Sequence, residues 1–100
     1  MAVVIEFDPD KDARNIELRG ISLAAAAMLL AGFTLEWTDQ RRDYGETRTI
    51  AIGEIDGLEY VCVYTRRGER YRPISLRRAK RKERSVYQEA KAERNAGESP

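Results

Sequence analysis

The sequence predicts an α+β domain, in which two helices near the N-terminus and one at the C-terminus flank an antiparallel sheet. Residues 33–75 alternate apolar and polar side chains with the period of two that strands show, and turn residues separate the runs. The flanking segments instead carry helix caps and helical apolar spacing. Helices that precede and follow a block of strands, rather than alternating with them, are typical of α+β domains. A chain of 100 residues holds one core, so we expect a single domain over residues 1–94 and a disordered tail over 95–100.

The first predicted elements are a short strand and two helices. Residues 3–7 are rich in β-branched side chains and should form the strand. Asp8-Pro9 then combines a capping side chain with a proline suited to the first helical position, so a helix should start there and end at Gly20. Ser22 caps a second helix over residues 23–31, whose consecutive alanines allow close packing.

A meander of four antiparallel strands is predicted next, over residues 33–38, 48–55, 58–65 and 69–75. In the first of these strands Phe33, Leu35 and Trp37 share one face, which we expect to be buried, so Trp37 is predicted to be a core residue. Asp56-Gly57 is a strong hairpin signal. Pro73 cannot donate a ladder hydrogen bond, so the last strand should lie at an edge or be bulged there.

The C-terminal helix should begin near Ser75 and run to about Arg94. At 100° per residue, its core-facing stripe would consist of Leu76, Ala79, Val86, Tyr87 and Ala90. A second face would align Arg77, Arg81 and Arg84, and three guanidinium groups in one line could follow a phosphate backbone.

Positive charge is concentrated in residues 64–84, which hold ten Lys or Arg and two Glu, a formal charge of +8 in a chain of +1. A smaller basic spot occurs at Arg41 and Arg42. A basic block inside a folded domain most often meets a polyanion, and nucleic acid is the commonest one. The alternative is a solvated, solubilising face, but solubility alone requires far fewer cations.

Composition excludes several classes of protein. The absence of histidine and the single cysteine, Cys62, exclude the usual zinc sites, imidazole catalysis and an internal disulfide, so we expect no cofactor and no metal. The N-terminus lacks the pattern of a signal peptide. The one long apolar run, residues 21–31, is far shorter than the roughly 20 residues that span a membrane. We therefore expect a cytoplasmic protein without a membrane partner.

With these elements placed, the chain resembles the BrnT family of bacterial type II toxins, which are similar in fold to the RelE group of ribonucleases. The likeness runs from about Phe7 to Tyr87. It rests on five motifs in order, which are FDPDKDARN, GIS, AIG, VYTRRGERYRPIS and the closing pattern of Ser75, Arg77, Ala79, Glu83 and Arg84. Each motif is weak alone, and the five together are specific.

The resemblance implies an RNA-cleaving toxin that inhibits translation. It also implies a BrnA-like antitoxin as partner, with operator DNA contacted only through that antitoxin. The family usually has Lys-His-Gly where this chain has Leu18, Arg19 and Gly20, and an aliphatic residue where Pro73 stands. Arg19 could keep the positive charge at the histidine position.

Metal-independent RNA cleavage needs a deprotonated 2′-OH, a stabilised pentavalent phosphate and a protonated leaving oxygen. Guanidinium groups suit the second task, because they stay charged and bind phosphate oxygens in pairs. We therefore predict that Arg77 and Arg81 clamp the scissile phosphate, with Arg66 as a third donor. The cations predicted to bind the RNA backbone are Arg66, Arg67, Arg72, Arg78, Lys80, Lys82 and Arg84.

Glu83 and Tyr64 complete the predicted catalytic residues. Glu83 falls inside the apolar arc of the last helix, where burial would raise its pKa and suit it to act as a general base. The commoner outcome for such a residue is a structural salt bridge, with Arg72 as the candidate partner. Tyr64 could stack on a base or donate a proton, and simple packing is the alternative.

Two other functions are compatible with the basic block. One is a non-catalytic binding module, a degenerate toxin whose basic surface holds RNA or an antitoxin without cutting. The other is an architectural DNA-binding role, which is disfavoured because no helix-turn-helix spacing is evident.

Overall fold

A five-stranded sheet forms the centre of the computed structural model, which describes residues 3–97. Its strands are β1 (Val4–Ile5), β2 (Leu35–Thr38), β3 (Thr49–Ile55), β4 (Leu58–Arg67) and β5 (Arg70–Arg78), in the spatial order β1-β5-β4-β3-β2. The helices are α1 (Pro9–Arg19), α2 (Ala26–Ala31) and α3 (Arg81–Gly97), with a 3₁₀ turn at Leu23–Ala25. The predicted antiparallel meander is present as β2 to β5. The N-terminal strand joins it in parallel to β5, which makes the sheet mixed.

The N-terminal helices form where the capping signals predicted them. The Asp8 carboxylate accepts a hydrogen bond of 2.8 Å from the backbone N–H of Asp10, and Gly20 ends α1 in the left-handed conformation with φ of 74°. The Ser22 hydroxyl accepts from the backbone N–H of Ala24 at 3.1 Å, although the turn it caps is 3₁₀ before it becomes α-helical. Among the described residues, no helix has the length and apolar character needed to cross a membrane.

Apolar clusters pack on both faces of the sheet. On one side, here called the α2 face, the buried cluster consists of Leu23, Ala26, Leu29, Ala51, Ile55, Cys62, Tyr64 and Leu76. On the other side, the α3 face, the smaller buried cluster consists of Ile52, Val61, Ala79 and Tyr87. Side chains alternate between the two faces along a strand. The strand residues in the two buried clusters therefore show which residues of β3, β4 and β5 lie on the α2 face and which lie on the α3 face.

The last helix begins at Arg81, so the prediction that it begins near Ser75 is wrong. Strand β5 continues to Arg78, where it pairs with Tyr60 of β4. The backbone N–H of Lys80 then donates to the Glu83 carboxylate at 2.7 Å, an interaction that caps the first turn of α3. Long-range pairing with β4 thus decides the conformation of a segment whose apolar spacing fits a helix equally well.

Both predicted faces of that helix are therefore corrected. Leu76 and Arg77 are strand residues on opposite faces of the sheet, opposite Cys62 and Val61 respectively. Val86, predicted to face the core, is 47% exposed. The predicted line of Arg77 with two helical arginines does not exist. At its far end the helix continues through residues 95–97, and residues 98–100 of the predicted tail lie outside the described residues.

Strand β5 contains the irregularity that its proline predicted. Tyr64 lies opposite Pro73 whereas Val63 lies opposite Ser75, so Ile74 is an extra residue in a β-bulge. Both predicted alternatives are found, because β1 pairs only with Arg70 and Tyr71 and so leaves Pro73 on a part of β5 that has no strand neighbour on that side.

Asn15 of α1 satisfies the backbone groups of Leu76 on the edge of β5 that β1 leaves open. Strand β1 pairs only with Arg70 and Tyr71, which leaves the later part of β5 without a strand neighbour. The buried Asn15 side chain donates to the Leu76 carbonyl at 2.9 Å and accepts from the Leu76 N–H at 3.1 Å. It also donates to the Ile21 carbonyl at 2.9 Å. The amide group thus takes the place of a strand, and it fixes α1 against β5.

Replacing Gly53 by alanine should destabilise the protein by about 1–3 kcal/mol, the usual cost of overpacking a core. A Cβ at Gly53 would lie 2.8 Å from Cγ of Leu29 and 3.2 Å from its carbonyl oxygen, so α2 would have to move away from β3. The free energy of unfolding in urea measures the effect. The matched control is Gly32→Ala, whose added Cβ meets nothing within 4 Å; equal stability of the two variants would show that α2 shifts without cost.

Candidate functional site

A cavity of about 310 Å³ opens on the α3 face of the sheet, beside the start of α3. We call it the cationic cavity, and its lining residues are Arg19, Trp37, Arg41, Ile50, Val61, Val63, Ser75, Arg77 and Glu83. The strand register explains this set, because Trp37, Ile50, Val63 and Ser75 form one row across four strands. The floor is therefore apolar in the middle, and three guanidinium groups stand at its rim.

Arg77 is held at the rim of the cationic cavity by Glu83. Its Nη1 and Nη2 atoms donate to the two carboxylate oxygens of Glu83, both at 2.8 Å, and Nη1 also donates to the Arg78 carbonyl at 3.2 Å. A guanidinium has five N–H donors, and within residues 3–97 these bonds occupy three of them. The Nε–H and one Nη2–H remain, and together they form a bidentate edge of the kind that binds phosphate.

The structure corrects two expectations about Glu83. Its salt-bridge partner is Arg77 rather than Arg72. Its pKa is lowered to about 2 rather than raised, chiefly by the hydrogen bonds from Arg77, with burial acting in the opposite direction and the Lys80 N–H adding to the lowering. Glu83 is therefore an ionised carboxylate at neutral pH with little affinity for a proton. Its two hydrogen bonds with Arg77 orient the guanidinium group.

The ion pair makes the stability of the protein pH-dependent in acid. Because the pKa of Glu83 is lowered from 4.5 to about 2 in the folded state, its stabilisation is complete above pH 4.5 and is lost as the pH falls towards 2. Glu83→Gln should destabilise the protein by about 1 kcal/mol at pH 7, since the pair is partly exposed. The difference from wild type should vanish near pH 2. Thermal melts between these pH values measure it.

The exposed Glu89, on the same helix, supplies the control variant Glu89→Gln. Its melts should run parallel to those of wild type across the acid range. If the Glu83→Gln curve also stayed parallel to wild type down to pH 2, the Arg77–Glu83 pair would contribute nothing to stability.

Asp39 holds a second arginine at the cavity. Its fully buried side chain accepts from Nε and Nη2 of Arg41 at 2.9 and 2.7 Å, and Tyr44 donates to it at 3.2 Å. The hydrogen bonds from Arg41 are the largest cause that holds the pKa of Asp39 well below its usual range. Arg41 itself is 70% exposed, so the buried carboxylate fixes a guanidinium whose outer edge is open to solvent.

The two fixed arginines act on each other. The hydrogen bonds that Arg77 donates to Glu83 raise the pKa of Arg77, whereas the charge of Arg41 lowers it, so the two guanidinium groups lie within electrostatic reach. Two fixed cations that line one cavity favour the binding of an anion there. Among the described residues, no group of three or more His, Cys, Asp or Glu side chains is placed to hold a metal ion.

The other predicted catalytic residues lie elsewhere. Tyr64 is buried on the α2 face, where its hydroxyl donates to Glu36 at 2.6 Å, and burial is the main cause that raises its pKa. Arg81 is exposed at the first position of α3, next to the cationic cavity but outside its lining. Of the four residues predicted to be catalytic, only Arg77 and Glu83 come together.

The predicted RNA-binding cations divide between the faces. By strand alternation Arg67 and Arg72 belong to the α3 face, and Lys80 and Lys82 are exposed at the start of α3. The remaining three do not line the cationic cavity, and their side chains contact the protein itself. Arg66 stacks on Tyr71, Arg78 bonds the Glu59 carbonyl, and Arg84 bonds the Ala79 carbonyl.

The structure brings Trp37, Arg19 and Ser75 to the cavity, which the sequence did not predict. Trp37 is 44% exposed, so its assignment to the core is wrong. It lies on the same face as Leu35, but α3 covers only the Leu35 end of β2. Arg19 reaches the cavity because Asn15 fixes α1 along β5. The one signal available in the sequence was the place of Arg19 at the position of the family's histidine.

The fold is that of a small α+β protein, and its cationic cavity has three arginines around an apolar floor. Over residues 7–83 the chain matches the family model described as the ribonuclease toxin, BrnT, of a type II toxin-antitoxin system. The chain therefore belongs to the BrnT family, and the resemblance drawn from the five motifs is confirmed. Membership implies an antitoxin partner and an RNA target. No curated protein matches the chain significantly.

Proposed function

We propose that this protein is an active, metal-independent endoribonuclease toxin that inhibits translation by cutting RNA in the cationic cavity. One observation carries the proposal: Arg77 is fixed by Glu83 with a bidentate donor edge free. If Arg77 only stabilised the fold, nothing would require it to keep two free N–H donors beside Arg41, a second fixed cation. The RelE-like arrangement, with the sheet face beside the last helix as the active surface, belongs to the same proposal.

The cavity supports a mechanism in which electrostatic stabilisation supplies most of the rate. Arg77 and Arg41 bind the non-bridging oxygens of the scissile phosphate, where negative charge grows as the 2′-oxygen attacks the phosphorus. The 2′-OH gives its proton to water, the bond from phosphorus to the 5′-oxygen breaks, and the 5′-oxygen takes a proton from water. Both side chains are already fixed by carboxylates, so little reorganisation is needed when the charge develops. Arg81, with Lys80 and Lys82, holds the flanking phosphates at the start of α3. Glu83 acts through Arg77 and is a positioning residue, while Tyr64 supports the sheet from the opposite face.

The antitoxin would neutralise the toxin by covering this surface. A BrnA-like partner that presents carboxylates to Arg41 and Arg77 would compete directly with RNA phosphate. Contact with operator DNA would then come only through the antitoxin, because the cations that could bind DNA are the ones it covers.

A non-catalytic binding module is the second candidate, and a specific observation favours it. The protein has no histidine, and the pKa of Glu83, about 2, makes it a weak proton acceptor. Neither proton transfer of the reaction therefore has an obvious side chain. Such a module would bind RNA in a salt-dependent way and leave it whole.

Cleavage of a labelled single-stranded RNA by the purified protein in EDTA tests the proposal. An Arg77→Ala, Arg81→Ala double variant, purified in parallel, controls for contaminating nucleases. We expect cutting by wild type that the double variant lacks, and growth arrest on expression unless the antitoxin is co-expressed. Binding without cutting, together with normal growth, would favour the binding module. Growth arrest without cutting of free RNA would indicate that the toxin acts only on the ribosome.

A further inference from the structure

We propose that Trp37 is a stacking platform for one base of single-stranded RNA, beside the phosphate that Arg77 holds. The inference deepens the proposed function, on which it rests, by naming the strandedness of the substrate and the group that grips a base. A base can reach an indole face only when it is not paired and stacked within a duplex. The site would therefore select unpaired RNA.

The exposure of Trp37 is the first observation behind this assignment. The side chain is 44% exposed although it shares its face with the partly buried Leu35. Within residues 3–97 the indole has no ring partner and its N–H has no acceptor. A tryptophan that serves packing normally buries its ring and satisfies its N–H, whereas Trp37 keeps nearly half of its surface exposed and donates its N–H to none of the described residues.

The surroundings of Trp37 identify the chemistry of the ligand. Ile50 and Val63 continue its row as an apolar floor, and Arg19, Arg41 and Arg77 surround that floor. An aromatic ring among guanidinium groups is the arrangement that binds single-stranded nucleic acid, with bases on the ring and phosphates on the cations. A purely apolar partner would leave these cations without counter-charges.

The strand register sets the reach of the site. Trp37 and Ser75 end a row across four strands, which is roughly 14 Å at the usual strand spacing. Arg77 lies two residues further along β5, so Trp37 and Arg77 face each other across the cavity. Arg41 follows β2 and stands on the Trp37 side. A base on the indole would thus have its neighbouring phosphate, the scissile one, between Arg41 and Arg77.

Intrinsic fluorescence reports on this contact directly, because Trp37 is the only tryptophan of the chain. The probe is a short single-stranded RNA in which 2′-deoxy sugars prevent cleavage, and its control has the same length and charge but abasic sugars at the central positions. We expect the first to quench the emission and the second to leave most of it. Equal quenching by both would overturn the proposal, because it would show an effect of charge alone.

Affinity measurements give an independent test. Trp37→Ala should weaken binding of the RNA probe by about 5- to 150-fold, the range reported for loss of a base–aromatic stack, while Trp37→Phe keeps most of the affinity. The matched control is Leu58→Ala, because Leu58 is similarly exposed at 46% but lies outside the cavity. The salt dependence of binding should not change in Trp37→Ala, since no charge is removed, whereas Arg77→Ala should reduce its slope by about one.

The outcomes separate this inference from the proposed function. If wild type neither binds nor cuts RNA, the proposed function fails and the inference with it. If Arg77→Ala abolishes cutting while Trp37→Ala binds RNA as tightly as wild type, the inference alone is overturned. It is also overturned if Trp37→Ala loses only the antitoxin, since Trp37 would then be a contact for that partner. Thermal melts of each variant show that it remains folded.

Discussion

Replacing Arg77 by alanine should lower the rate of RNA cleavage by about 10²- to 10³-fold, the usual loss when one fixed donor to a developing oxyanion is removed. The guanidinium is held by two hydrogen bonds of 2.8 Å from its own Nη atoms to Glu83, and Arg77 lines the cationic cavity. Single-turnover cleavage of a labelled RNA measures the chemical step apart from product release.

Arg78 provides a matched control for this change. It is the next residue of β5 and lies on the opposite face, where it bonds the Glu59 carbonyl and stacks on Tyr60. Arg78→Ala removes the same charge from the same strand, yet it should cut RNA within a few-fold of wild type. Arg77→Lys should remain strongly impaired, because an ammonium group keeps the charge but not the paired donors. Full activity of Arg77→Ala would remove the cationic cavity from the mechanism.

Asn15→Ala should destabilise the protein by about 3–5 kcal/mol, a large part of the total stability of a domain of this size. The change leaves the N–H and carbonyl of Leu76 and the carbonyl of Ile21 without the partner that the amide supplies. Water reaches these groups poorly, because Asn15 and Leu76 are buried. The melting temperature should fall by roughly 12–40 °C, at 4–8 °C for each kcal/mol.

Two further variants test whether the lost hydrogen bonds of Asn15 cause this destabilisation. Glu17→Ala, at an exposed position of the same helix, should change stability by no more than about 0.5 kcal/mol. Asn15→Asp keeps an acceptor for the Leu76 N–H but loses both donors and buries a charge, so it should be at least as damaging as alanine. A melting temperature of Asn15→Ala close to that of wild type would show that water replaces the amide and that α1 is held by other contacts.

Local chemistry predicted those parts of the fold that depend on it. The caps at Asp8 and Ser22, the left-handed end at Gly20 and the bulge at Pro73 each follow from what one side chain allows its own backbone to do. The position at which β5 ends does not follow from any single side chain. Leu76 has neighbours spaced suitably for either a helix or a strand, and the choice is made by pairing with Cys62 of β4, which lies more than ten residues away in sequence.

The candidate site was predictable to a similar extent. The density of positive charge in residues 64–84 predicted the segment that contains Arg77, because a run of ten cations is visible in the sequence itself. Arg19 and Arg41 come from a helix end and a loop, and they reach the cavity only through the contacts of Asn15 and Asp39. Trp37 followed the pattern of a buried strand face. Its exposure depends on how far α3 extends over the sheet, which no local pattern encodes.

The bulge at Ile74 has a consequence for the two sides of the molecule. Along a regular strand, successive side chains alternate between the two faces, so a slip of one residue in the pairing exchanges the faces of every residue that follows. Because the bulge leaves Ile74 unpaired, Ser75 lies opposite Val63, Leu76 enters the buried cluster and Arg77 lines the cavity. If Ile74 paired with Val63 instead, Arg77 would lie on the α2 face, in the apolar interior, and Leu76 would lie on the cavity side. The bulge thus determines which side of the sheet is charged.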